Sequence, residues 1–452
     1  MSDLRTAAST GQGPRPTLRG RDAVAITVGI VLGAGIFRTP SLVAGGVGDG
    51  GTLILVWAAG ALIALVGALC YAELASAYPD AGGDYHFLRR AFGERLAFLY
   101  AWARLAVIQT GSVAVLAFVF GDYLSELAPL GPASSAIWAG LAVVAITGVN
   151  WAGVRQGARA QNWLTVVEVG GLLAVIAAGL LFAPEAAPSA PRAEAGGGSL
   201  GLVMVFVLLT YGGWNEAAFL SAELKGGGRR IGRVLLISLG TIAALYLLAN
   251  LAYLRALGLS GMAGSQAVAA DVMRTAFGPG GAAFVALAVA LAALTSANAT
   301  VITGARSAYA LGRDAPALRF LGRWHGPSGS PRNALVAQGA VALALVLAGG
   351  FAPDGFRLTV EYTAPVFWFF FLLVGLSLFV LRRREPDAPR PFRVPLYPLT
   401  PLIFCAVNAW LLWSSLAYTG WGALAGVAVV GIGFLLLPFL RSPRSTAPEV
   451  RS

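Results

Sequence analysis

Three places in the 452-residue chain combine residue types and spacings that could do chemistry. The first is Gly29-Ile30-Val31-Leu32-Gly33-Ala34-Gly35-Ile36, followed by Pro40. The second is Leu209-Thr210-Tyr211-Gly212-Gly213-Trp214-Asn215-Glu216. The third is Glu168, an ionisable residue inside an apolar run. Glycine weakens a helix by ~1 kcal/mol relative to alanine, and proline by ~3 kcal/mol. The two glycine clusters therefore predict helices that unwind in mid-run. Unwinding exposes N–H groups at the start of the second half-helix and C=O groups at the end of the first. The N–H groups and the helix dipole attract a carboxylate, and the carbonyls attract an ammonium. A zwitterion is thereby held at both ends by backbone alone. Gly33, Ala34, Gly35 and Ile36 would offer N–H groups. Leu209, Thr210 and Tyr211 would offer carbonyls, with one more from Ile30. Gly212 supplies the flexibility, and Leu209, Trp214 and Asn215 would read the side chain. Glycines also let apolar helices pack closely. Two clusters at matching positions, one beside Trp214, Asn215 and Glu216, favour the binding reading.

The elements that carry these residues are apolar. The chain is 57% hydrophobic and 12% charged, with a mean hydropathy of +0.73. Soluble domains carry about 25% charged residues. Runs of roughly 20 apolar residues recur, each long enough to cross a ~30 Å hydrocarbon core as a helix. Backbone polar groups in lipid must be satisfied within the segment, so helices are the expected form. The expectation is an all-α polytopic membrane protein of twelve spans, starting near Ala23, Thr52, Leu96, Ser134, Asn162, Leu200, Val234, Ala282, Ala334, Leu358, Leu399 and Trp421. Of 32 basic residues, 25 fall before span one or after an even-numbered span, and only Arg192, Arg255, Arg274 and Arg357 follow odd ones. The positive-inside rule then places both termini in the cytoplasm of an inner-membrane protein. The segment from Asp80 to Gly93 mixes charged and aromatic residues and predicts a short interfacial helix.

The broken spans are the first and the sixth. Five crossings separate them, and five is odd, so a five-helix repeat is necessarily inverted. Paired interruptions in two inverted halves point to a transporter binding site. The expected organisation is a cytoplasmic tail at 1–22, a first repeat at 23–183, an external loop at 184–199, a second repeat at 200–381, two further spans at 382–440 and a tail at 441–452.

Other classes fit poorly. The net charge of +11 follows the topology, so nucleic acid is not an expected partner; the bilayer is. Residues 1–21 lack the apolar core of a secretory signal. Cys70 and Cys405 lie far apart in apolar runs, which gives no metal spacing and no disulfide framework. No span contains a histidine, which leaves a membrane enzyme without its usual constellation.

At these residues the chain resembles the amino acid–polyamine–organocation superfamily, and especially the bacterial relatives of the light subunits of heteromeric amino acid transporters. The motifs are Gly33-Ala-Gly-Ile-Phe37, Tyr71-Ala-Glu-Leu74 running to Gly82-Gly83-Asp-Tyr85, Tyr211-Gly-Gly-Trp-Asn215 running to Ala222-Glu-Leu-Lys225, and Arg384-Glu-Pro-Asp387 running to Pro391-Phe-Arg-Val-Pro395. The resemblance covers roughly Leu18 to Leu440. It implies a five-plus-five inverted repeat (the LeuT-like fold) with two extra C-terminal helices and a substrate held between spans one and six. It implies alternating access for an amino acid, by symport or exchange, and no resident cofactor beyond a coupling H+ or Na+. A neutral substrate is expected; a cationic amino acid or polyamine is the alternative.

Two departures from the family stand out. Leu209 stands where the eukaryotic heteromeric relatives place an aromatic gate. Glu168 stands where many relatives have a lysine bridging span one to span eight. The resemblance implies Gly29, Leu32, Thr295 and Ser296 as neighbours of Glu168. Carbonyls repel a carboxylate and burial disfavours its charged form, so a protonation switch or a cation site is expected there. The external cysteine that links a heavy subunit in heteromeric relatives has no counterpart, so no disulfide-linked partner is expected.

Overall fold

The computed structural model describes residues 20–80, 83–153, 158–186, 200–215, 230–325, 330–418 and 420–439. Most of the loop expected at 184–199, residues 1–19 of the expected N-terminal tail, the tail at 441–452, and Glu216 lie outside them. The described residues form helices and no strand, apart from one isolated bridge between His325 and Ser330.

Among the described residues, eight helices are long and apolar enough to cross a membrane. These are α3 (Gly50–Ala77), α5 (Glu94–Ser125), α6 (Ser134–Ala152), α9 (Ile231–Gly264), α10 (Val268–Asp314), α11 (Arg332–Gly350), α12 (Gly355–Arg384) and α13 (Leu399–Ala417). The remaining expected spans are shorter or interrupted: α1 (Gly20–Val31) with α2 (Thr39–Gly46), α7 (Ala158–Ala177), whose apolar stretch is Val166–Phe182, α8 (Leu200–Thr210) and α14 (Trp421–Leu436). The short helix expected before span three is α4 (Asp84–Phe92). This is a multi-pass membrane protein.

Sequence chemistry sets the helix ends. Asp49 caps α3 by accepting from the Thr52 N–H at 2.9 Å, and Asp354 caps α12 by accepting from the Arg357 N–H at 2.9 Å. Helices α9 and α10 bend where Gly258 and Gly278 take φ of 66° and 68°, a region open to glycine at little cost. Small residues bring helices together. A Cβ on Gly60 would collide with Val207, and one on Gly67 would lie 2.7 Å from both Phe404 and Trp214. Thus α3 can lie close against α8 and α13. Large apolar side chains such as Leu62, Leu141, Phe284, Leu347 and Leu424 point outward, as lipid-facing positions should.

Helix α12 carries an ion cluster at each end. At its last turn, Arg382 donates to both carboxylate oxygens of buried Glu73 on α3, at 2.7 and 2.5 Å. Glu73 also accepts from the Val394 N–H at 2.7 Å and lies 3.5 Å from Arg390. Glu73 therefore fastens α3 to α12 and to the segment after it. Nearby, Arg90 of α4 donates to Glu385 at 2.8 and 2.7 Å. That hydrogen bond holds the Glu385 carboxyl below the usual range.

Candidate functional site

The first break falls where the glycines predict it. Helix α1 ends at Val31, Gly33 is extended (φ −97°, ψ 173°), and a 3-10 turn spans Ala34–Phe37. Arg38 then leads into α2, which has proline in its first turn. The second break follows α8. Thr210 ends the helix, Tyr211–Gly213 form a turn, and Gly213 takes φ of +98°.

The two breaks touch. A Cβ on Gly35 would lie 3.2 Å from the Thr210 Cγ2. A side chain at position 35 would make this approach tighter than an ordinary van der Waals contact. The first N–H groups of a helical turn have no acceptor within it, and in the 3-10 turn these are the N–H groups of Ala34 and Gly35. On the carbonyl side, the Leu209 oxygen accepts from Gly212 N–H at 3.1 Å and the Val207 oxygen from Tyr211 N–H at 3.0 Å.

Three tyrosines hold the unwound carbonyls. Tyr246 on α9 donates to the Val31 oxygen at 3.0 Å and sits 3.4 Å from the Thr210 oxygen. Tyr253, two turns along, donates to the Ile36 oxygen at 3.4 Å. Tyr123 on α5 donates to the Phe37 oxygen at 2.7 Å and accepts from the Ala269 N–H at 3.2 Å. All three rings are fully buried. The motifs do not reveal these residues. A signal exists all the same: Tyr246 and Tyr253 are seven apart in an apolar run and so share one helix face.

A second group is also absent from the motif reading. Arg38, directly after the first break, donates to Asp122 of α5 at 3.1 Å, to Asp354 at 2.6 Å and to the Ser41 hydroxyl at 2.6 Å. Its guanidinium stands 5.7 Å from the Phe356 ring centre. Arg38 and Asp122 are buried. This cluster lies at the start of α12, opposite the Glu73–Arg382 end.

The expected site residues do not all face one place. Gly35 meets Thr210 at the junction, and Ala34 and Ile36 are buried in the same 3-10 turn. Gly29 and Ile30 lie in the last turns of α1, and Leu32 is buried at the break. The Ile30 side chain lies outside the described set. The Tyr211 ring packs against Trp57 and Tyr246, with centroids 5.8 and 5.1 Å apart. Trp214 packs edge-on against Tyr71 at 5.1 Å and Phe371 at 5.7 Å, on the side of α3 and α12. Asn215 is buried beside it.

Glu168 is buried on α7, and its Oε1 has no hydrogen-bond partner among the described residues. Helix α7 packs on α10, where a Cβ on Gly171 would lie 3.9 Å from Ala288. Thr295 donates to its own helix at Leu291, and Ser296 accepts from Thr300. Among the described residues no hydrogen bond joins Glu168 to Gly29, Leu32, Thr295 or Ser296. No group of side chains suited to a metal ion is found among them either.

Paired helix breaks in a helical membrane protein are the arrangement found in broken-helix transporters. Residues 18–435 match the amino acid permease family, and the chain belongs to it. Among its relatives is the b(0,+)-type amino acid transporter 1 of Mus musculus, 29% identical over 398 residues, covering 86% of this chain and 80% of the relative. The large neutral amino acids transporter small subunit 2 of Mus musculus is 30% identical over 446 residues, covering 95% and 82%. Its Homo sapiens counterpart is 30% identical over 430 residues, covering 91% and 79%. The family and these relatives are transporters, not enzymes.

Proposed function

We propose that the protein carries neutral amino acids across the cytoplasmic membrane by alternating access. The observation that supports this best is the junction of the two breaks at Gly35 and Thr210. The substrate carboxylate is received by the N–H groups of Ala34 and Gly35, and its ammonium by carbonyls at the end of α8. The names of the relatives support an amino acid as the cargo. On this reading the chain has twelve spans in a five-plus-five inverted repeat with two further helices, and both termini are cytoplasmic. The Glu73–Arg382 end then faces the cytoplasm, and the Arg38 cluster closes the external side.

Glu168 is the coupling residue on this reading. A buried carboxyl oxygen without a partner costs ~1–3 kcal/mol or more unless a proton or a cation serves it. Both cysteines, Cys70 and Cys405, are buried, so neither is available for a disulfide to a partner chain.

The test is uptake of radiolabelled amino acids into liposomes holding the purified protein. Each is run with an inward proton gradient, with a sodium gradient, and with internal amino acid. Uptake of neutral amino acids under any of these supports the proposal, and the condition required separates symport from exchange. Uptake of none overturns it.

A further inference from the structure

Between Arg306 and Arg332 the chain carries five arginines and a single acidic residue, Asp314. A compact turn follows α10 in this stretch. The Leu321 N–H donates to the Leu318 oxygen at 2.9 Å, and the Gly322 N–H to that of Arg319 at 3.1 Å. The turn lies directly on the end of α10, since a Cβ on Gly322 would sit 2.8 Å from the Gly312 carbonyl. Asn333, in the first turn of α11, donates to the Phe320 oxygen at 2.8 Å. The turn is thus fixed to both helices, and its side chains leave in set directions.

Those side chains sort into two faces. Leu318 and Leu321 are buried, whereas Arg319, Phe320, Arg323 and Trp324 are exposed, Phe320 by 50% and Trp324 by 47%. Trp324 packs edge-on against Tyr309 of α10, with centroids 5.3 Å apart. A turn closed by a bond such as that from Gly322 to Arg319 keeps its ends within about 7 Å. One further residue adds ~3.8 Å, so the Cα atoms of Arg319 and Arg323 stand within about 11 Å, and both guanidinium groups can reach one anion. Among the described side chains no carboxylate pairs with either arginine. One Asp314 cannot neutralise five arginines. The exposed face therefore asks for two things at once. The planar arginine fork matches a phosphate, and the aromatic rings suit the boundary between headgroups and hydrocarbon. A soluble anion would leave Phe320 and Trp324 uncovered, and a neutral lipid would leave the arginines unanswered.

We propose that the turn after α10 binds the phosphate of an anionic phospholipid through Arg319 and Arg323, with the lipid's acyl chains against Phe320 and Trp324. The bound lipid braces the turn that joins the end of α10 to the start of α11. That it comes from the cytoplasmic leaflet rests on the orientation proposed above; the site itself does not.

The probe is phosphatidylglycerol, with phosphatidylcholine as the neutral lipid and glycerol 3-phosphate as a headgroup without chains. The thermal midpoint of the purified full chain in detergent is followed as each is titrated. The expected result is a saturable rise with phosphatidylglycerol only. An equal rise with phosphatidylcholine would mean a general lipid effect, and an equal rise with glycerol 3-phosphate would mean a site for soluble anions; either overturns the proposal, as does no saturable rise at all. When Arg319→Gln and Arg323→Gln are combined, the half-saturating amount of phosphatidylglycerol is expected to rise about tenfold or more. Both side chains are exposed, so the variant is expected to fold; if it fails, Arg323→Gln alone and Phe320→Ser, each expected to weaken the response, decide. Arg383→Gln combined with Arg393→Gln removes two other exposed arginines, at and after the last turn of α12, and is expected to leave the response unchanged. An equal loss in the two double variants would show that net charge alone is sensed, and an unchanged response at Arg319 and Arg323 would overturn the site directly. The leaflet is read separately, with Phe320→Cys in sealed right-side-out vesicles and an impermeant thiol reagent. Labelling is expected only once the vesicles are opened; labelling of intact vesicles would overturn the cytoplasmic assignment and leave the binding result standing.

Discussion

The Tyr246 hydroxyl lies 3.0 Å from the carbonyl oxygen of Val31, the last residue of α1, and 3.4 Å from that of Thr210, the last residue of α8. One side chain on a third helix therefore reads the ends of both half-helices. Each carbonyl lies at a helix end, where the usual helical donor is missing, and that of Val31 also accepts from the Gly33 N–H at 2.8 Å. A rearrangement of either half-helix must remake this contact.

Tyr246→Phe keeps the ring and removes the donor. Stability is expected to fall by about 1–3 kcal/mol, read from thermal denaturation, with a clear drop in the maximal uptake rate. Tyr253→Phe removes a single contact at the 3.4 Å limit and is expected to do less. Equal effects of the two would contradict the bridging role.

Gly35 tests the junction itself. In Gly35→Ala the added Cβ meets Thr210 at 3.2 Å, so the half-helices must part by a few tenths of an ångström. Uptake is expected to weaken several-fold, and Gly35→Val to abolish it while the protein still folds. Thr210→Ser removes the Cγ2 and is expected to recover part of the activity of Gly35→Ala. A lack of any rescue would show that the two residues are not coupled.

Arg38 is paired unevenly with its two carboxylates. The Asp122 side chain is 6% exposed and that of Asp354 is 23% exposed. Losing one partner of a buried pair costs roughly 3–5 kcal/mol, because the other charge is left behind. Arg38→Gln is expected to destabilise strongly, and Asp354→Asn less. If the cluster closes the external side, Asp354→Asn also speeds labelling of a cysteine introduced at Leu209 by an impermeant external reagent. Unchanged labelling would separate the cluster from gating.

Glu168→Gln removes the ionisable proton and keeps the shape. Exchange driven by internal amino acid is expected to persist, while stimulation by a proton or sodium gradient is lost. A Glu168→Gln protein that responds to gradients as the wild type does, at every pH, would leave this residue a structural role only.

Much of this arrangement is legible in the residues alone. Glycine clusters at 33–35 and 212–213 mark the breaks because glycine's helix penalty is local. Spans such as the one from Ser134 begin where apolar runs begin, since length and hydropathy decide them. The partners of Arg38 are not legible. They come from helices 84 and 316 residues away, and no local pattern encodes such pairing. The destinations of Tyr211 and Trp214 are hidden for a similar reason. A residue next to a helix break can turn toward the cavity or toward a neighbouring helix, and packing against Trp57 and Tyr71 decides it. Burial of Glu168 follows from its apolar run, whereas the lack of a partner at its Oε1 depends on how α7 sits against α10.

The most direct test of the central claim is competition. The breaks are held to receive both charged ends of an amino acid, so both ends must be free. Uptake of a radiolabelled neutral amino acid into proteoliposomes is measured against excess unlabelled amino acid, its N-acetyl form and its methyl ester. A site that receives both charged ends predicts that the free amino acid blocks uptake, and that both capped forms compete at least tenfold more weakly. Equal competition by either capped form would contradict it.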